Sequence, residues 1–206
     1  MASIHPSKLK QIKEWYSDGF SARQIAEKLL VGLDAVYYFM RHHGIMRRNA
    51  RETNELRFLG KPLTYRLATT LNHTQEQLKL LAVSLYWAEG AKRGHTVDFA
   101  NSDVSMCQIF VEFLRKVCRV EEKKLRGFIY CHENQDAEAL IAFWSKALNI
   151  PKGQFTKPYI RRQGASQKKY PERMINGLVH IRYGDLKLLR QILTWIEEHK
   201  KTWVGM

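Results

Sequence analysis

The spacing of apolar side chains divides this chain into two patterned regions separated by a stretch with no period. From residue 6, Leu9, Ile12, Trp15 and Tyr16 recur at helical spacing, and Asp18-Gly19 stops the run. Ser21 and Gln24 form a capping-box pattern that opens a second helix, with Ile25, Ala26 and Leu29 inward. Gly32 turns the chain into a third helix, with Val36, Phe39 and Met40 inward and Gly44 at its end. Residues 49–73 lack periodicity from their start and contain the breaker Gly60-Lys61-Pro62. A second capping box, Thr74 to Gln77, opens a helix that runs to Glu89. Residues 96–100 alternate as a strand, and Asn101-Ser102-Asp103 caps a helix with Met106, Ile109, Phe110, Phe113, Leu114 and Val117 inward. A strand is expected over 125–132 and a helix over 136–148, stopped by Pro151. Further strands are expected over 155–162 and 178–183. Asp185 then caps a closing helix with Leu188, Leu189, Ile192, Trp195 and Ile196 inward. These elements predict an α+β chain: a three-helix domain over 1–48, a linker over 49–73, and a mixed α/β domain with an antiparallel sheet over 74–206.

Charge narrows the partners. The 206 residues carry 34 Lys and Arg against 20 Asp and Glu, a formal net charge of +14. Such an excess favours a polyanionic partner. The polar start Met1 to Pro6 lacks a secretion-type apolar run, and the longest apolar run, Leu80 to Ala88, is less than half a membrane span. A cytoplasmic protein with no membrane partner is expected. Cys107, Cys118 and Cys131 are odd in number and lack CxxC spacing, so they point to neither a disulfide framework nor a zinc site. His42 and His43 are adjacent, so on a helix they diverge and do not chelate together.

The three amino-terminal helices, with their tight turn and basic exit, resemble the resolvase-type helix-turn-helix. That resemblance implies that the third helix enters the major groove. Its exposed residues would be Asp34, Ala35, Tyr37, Tyr38 and Arg41, followed by Arg47 and Arg48. A three-helix protein–protein module fits the same pattern.

The helix ending Leu81-Ala82-Val83-Ser84-Leu85-Tyr86-Trp87-Ala88-Glu89-Gly90 carries the most pointed chemistry. A carboxylate in a last helical turn faces the negative end of the macrodipole, at a cost of about 0.3–1 kcal/mol unless a cation offsets it. Ser84 and Ala88 are small and four apart, so a second helix can approach that face closely. Two such helices side by side would bring two carboxylates together beside bound metal. The segment resembles the motif of the LAGLIDADG homing endonucleases, with Gly90 at its last glycine and Glu89 at its final acidic position. Ser84 and Ala88 fall on its small-residue positions and Leu85 on its apolar fourth. Residues 99–103 with the following helix, and the closing strand–strand–helix over 155–199, fit the same family. The resemblance implies a metal-binding, catalytic Glu89 and a dimer interface of Leu81, Ser84, Leu85 and Ala88. It also implies Mg²⁺ or another divalent cation, a homodimer, and a near-palindromic site on double-stranded DNA. The chain departs from the family in Trp87, in a first hairpin shortened to residues 91–96, and in the added helix over 136–148. On its own residues, Glu89 also reads as a solvated carboxylate or a partner of Lys92 or Arg93.

Strand alternation supplies a DNA-reading surface. Lys157, Tyr159 and Arg161 share one face of their strand, and His180 and Arg182 share one face of theirs, with Val179, Ile181 and Tyr183 toward the core. Between Pro151 and Arg182, Lys152, Lys157, Arg161, Arg162, Lys168, Lys169, Arg173 and Arg182 face one acid, Glu172. Lys92 and Arg93 are expected as phosphate contacts, and residues 163–174 as an arm that orders on DNA. Arg126, Phe128, Tyr130 and His132 form a further polar–aromatic face. A solvated basic face is the plain alternative. The leading expectation is a sequence-specific, metal-dependent DNA endonuclease, a hydrolase acting as a homodimer. The alternatives are a catalytically silent DNA-binding transcriptional regulator on the same scaffold and, third, an RNA-binding protein.

Overall fold

The computed structural model describes residues 4–162 and 174–205. The chain divides between Lys61 and Pro62 into two compact units. In the first, a 3-10 turn over Pro6–Lys8 leads into α1 (Leu9–Ser17), α2 (Ala22–Leu29), α3 (Leu33–His42) and α4 (Ala50–Leu59). Ile12, Ile25, Val36, Phe39 and Met40 form its buried core with Ala22 and Ala26. The Ser21–Gln24 capping box is made in full. Helix α4 lies where the sequence pattern predicted a linker. It buries no residue, so it carries no apolar stripe, and the reciprocal Asn49–Glu52 capping box starts it.

Residues 64–68, also expected in the linker, are bound to the second unit. Tyr65 bridges Val120, while the amides of Arg66 and Ala68 donate to the Cys118 and Val117 carbonyls at 3.0 and 3.1 Å. There follow α5 (His73–Glu89), β1 (Val97–Asn101), α6 (Val104–Lys116), β2 (Leu125–His132), α7 (Ala137–Leu148), β3 (Tyr159–Arg161), β4 (Leu178–Tyr183) and α8 (Leu186–Val204). Helix α5 begins earlier than expected, because Asn72 and Gln75 form its capping box. On α6 the inward face is Cys107, Phe110, Val111, Phe113 and Leu114, while Met106 is exposed.

The fold is α+β, with eight α-helices and one four-stranded sheet among the described residues. Strand order is β1-β4-β2-β3. The expected antiparallel sheet is corrected to a mixed one: β4 runs antiparallel to β1 and β2, but β3 runs parallel to β2. Helix α7 is the reason, since a helical crossover returns the chain in the direction it left. One sheet face is sealed: Val97, Phe99, Leu125, Ile129, Val179, Ile181 and Tyr183 are fully buried. Tyr86, Phe110, Phe113, Trp144 and Trp195 are buried on the helices α5 to α8, each of which packs on a strand or on a helix that does. No described helix is long and apolar enough to cross a membrane.

One buried polar group ties the strap at residue 64 to this core. Asp185, 1% exposed, caps α8 by accepting from the Lys187 and Leu188 amides at 2.8 and 3.1 Å, and accepts from the Thr64 hydroxyl at 2.7 Å. Asp185→Ala loses the cap and the acceptor of the Thr64 hydroxyl proton. We expect a loss of about 2–3 kcal/mol in urea unfolding. An unchanged midpoint would contradict this role.

Candidate nucleic-acid interface

The sheet face that no described helix covers is built by the residues that alternate with the core. Asp98 on β1 lies opposite Arg182 on β4, and His180 lies between Ala100 and Phe128. The Asp98 carboxylate bridges two partners: Oδ1 is 2.8 Å from His180 Nδ1, and Oδ2 accepts from Arg182 Nε at 2.8 Å. Phe128 supports the same pair, with Arg182 stacked 4.2 Å above its ring and His180 edge-on at 5.2 Å. Burial acts to raise the Asp98 carboxyl, but the His180 hydrogen bond and charge together with Arg182 outweigh it and hold the group below its ordinary value. Farther along, Tyr130 stacks on Tyr159 at 5.3 Å, and its hydroxyl accepts from Arg161 Nη1 at 3.5 Å.

His180, Arg182, Tyr159 and Arg161 thus share one face with Phe128 and Tyr130, as alternation requires. Lys157 and Arg162 are exposed just outside the three-residue β3, which is shorter than predicted. Arg126 folds back, its Nη1 donating to the Lys123 and Leu125 carbonyls at 2.6 and 2.8 Å. Lys168, Lys169 and residues 163–173 of the expected arm lie outside the described residues. Asp98 was not among the predicted site residues. Its outward place on a strand was readable, but its partners depend on a register between strands far apart in sequence.

Helix α5 reaches the edge of this face. The Gly90–Phe99 bridge and the Ala91 amide donating to the Asp98 carbonyl at 2.9 Å stitch its end to β1. Gly90 has an extended backbone (φ −79°, ψ 152°) that any residue can adopt. Its lack of a side chain matters because the Tyr86 ring occupies the space a Cβ would fill. The Tyr86 hydroxyl donates to the Ala91 carbonyl at 2.6 Å, and burial pushes its pKa up to about 12. Glu89 is exposed at the helix end, where Lys92 Nζ donates to the Ala88 carbonyl at 3.4 Å and supplies the offsetting cation. Leu81, Ser84 and Ala88 are exposed and Leu85 is half-buried. The Ser84 hydroxyl is satisfied within the helix by the Leu80 carbonyl at 2.9 Å. Arg93 is exposed in the following loop. No group of three His, Cys, Asp or Glu side chains able to hold a metal ion is present among the described residues.

In the first unit, Tyr38 and Arg41 are exposed on α3, and Arg47 stacks 4.3 Å from the Tyr37 ring. Arg48 is turned inward. Its guanidinium donates to the Tyr16 carbonyl and, at 3.3 Å, to those of Gly19 and Phe20, closing the carboxyl end of α1. Arg23, Arg47, Arg48 and Arg57 line a cavity of about 350 Å³. Comparison with protein-family models, curated proteins and solved structures finds no match to this chain.

Two outcomes follow from this geometry. Gly90→Ala forces the Tyr86 ring from its seat and is expected to destabilise the second unit by about 1–3 kcal/mol; unaltered thermal unfolding would refute the contact. The depressed Asp98 carboxyl contributes stability above its ordinary pKa, lost as pH falls through its lower folded value. Asp98→Asn should therefore flatten the acid limb of the stability profile, and a limb identical to that of the native chain would refute the ion pair.

Proposed function

We propose that this chain is a sequence-specific double-stranded DNA-binding protein. In this reading a resolvase-type helix-turn-helix is joined to a LAGLIDADG-like domain that works as a cytoplasmic homodimer. The observation that carries the reading is the open sheet face, where cationic and aromatic side chains share one surface and Asp98 is the acid among them. Lys157, Arg161 and Arg162, with Lys92 and Arg93, supply charge for phosphates, and Arg41 and Arg47 do so in the first unit, where the Tyr37 and Tyr38 hydroxyls add neutral donors. Arg48 contributes by holding the exit of α3 in place.

The exposed face of α5 supports the dimer. Leu81 is 48% exposed and Trp87 42%, beside the small Ser84 and Ala88, so a second copy of the helix can lie close and cover apolar surface. Glu89 alone is too small a donor set to hold a divalent cation on one chain. Two copies at a dyad supply two carboxylates, which a hard cation accepts together with water and phosphate oxygens. Mg²⁺ bound there would activate water and offset charge on the leaving oxygen of a phosphodiester. Glu89 would hold the ion, Lys92 would secure the helix end behind it, and the sheet would fix the duplex.

A second reading, a regulator that binds without cutting, is favoured by one observation. Asp98, whose carbonyl accepts from the Ala91 amide two residues beyond Glu89, has both carboxylate oxygens committed to His180 and Arg182. Incubation with supercoiled DNA libraries separates the two. Mg²⁺-dependent cutting that EDTA and Glu89→Gln abolish, with binding retained, is the result expected of the nuclease. Binding to a verified site without cutting leaves the regulator, and failure to bind duplex DNA removes both. Ala88→Phe should shift the sedimentation coefficient from dimer to monomer, and an unmoved dimer refutes the α5 contact.

A further inference from the structure

Arg182 differs from the other cations of the open face in being held. Its Nε is fixed on Asp98 Oδ2 at 2.8 Å, and its guanidinium carbon lies over the Phe128 ring, 4.2 Å from the ring centre. The second Asp98 oxygen is taken by His180, so the carboxylate itself cannot swing. Arg126, directly across the strand pair, has turned its guanidinium to the Lys123 and Leu125 carbonyls instead. The side chain of Arg182 is 35% exposed, and its two terminal Nη groups have no partner among the described residues.

Resting on the reading of this face as a DNA surface, we propose that Arg182 reads guanine in the major groove, with Asp98 and Phe128 as its positioning residues. A phosphate contact needs charge and tolerates a loose side chain. Here the charge is largely offset by Asp98, which makes Arg182 a poor counter-ion for phosphate. What remains is a planar pair of N–H donors in a fixed orientation, the geometry that meets O6 and N7 of guanine together. Lysine has neither the fork nor the flat face that stacks on Phe128. Lys157 and Arg162, exposed and outside the strands, are suited to the phosphate role instead.

The test selects binding sites from randomised duplexes with the full chain and with Arg182→Lys, Asp98→Asn and Phe128→Leu. The native chain should select a guanine at one position of each half-site. Arg182→Lys should lower discrimination at that position by about tenfold to a hundredfold, with affinity for unselected duplex and its salt dependence nearly unchanged. The two positioning variants should relax the same position and no other, which a general loss of stability would not do. If Asp98→Asn fails to fold, Arg182→Lys decides the matter alone. An undiminished guanine preference in Arg182→Lys, or an equal loss of affinity for every sequence, overturns the assignment. Absence of any duplex binding by the native chain overturns the underlying DNA reading instead.

Discussion

A single carboxylate organises the exposed side of the sheet. Four strands sealed on one face by helices leave the other face to whatever their alternate residues carry, and here those residues are cationic and aromatic. Side by side they would repel one another and wander. Asp98 joins β1 to β4 by accepting from both His180 and Arg182, and Phe128 on β2 receives the same pair from the other side. Three strands are thereby coupled through side chains as well as through their ladders. The result is a charged surface with fixed shape, which a flexible basic tail cannot offer.

The end of α5 depends on a different constraint, the seat of Tyr86. Its ring lies over Gly90 and its hydroxyl reaches the Ala91 carbonyl, so the helix must stop where the chain turns into β1. Glu89 is consequently delivered to the border of the charged face, while Leu81, Ser84 and Ala88 stay uncovered. Gly90 therefore has a function within one chain that is independent of any helix–helix approach.

Much of this architecture was legible from pattern alone. The β2 and β4 spans follow from strict alternation, and Asp103, Asp136 and Asp185 cap the helices they precede. What escaped lacks a local signature. Helix α4 buries nothing, so no periodicity marks it. The direction of β3 is decided by the crossover through α7 rather than by its own three residues. Arg48 has the look of a phosphate contact, yet the open carbonyls at the end of α1 capture it. In the candidate site, His180 and Arg182 were visible as outward residues, whereas Asp98 gains its meaning only from a register spanning more than eighty positions.

The most direct test of a DNA-reading sheet is to follow the aromatic and imidazole NMR signals of the full chain during titration with duplex DNA. The account predicts that Phe128, Tyr130, Tyr159 and His180 shift together and saturate at a common ratio. Shifts confined to the outer surfaces of α6 and α7, with those four rings undisturbed, would contradict it.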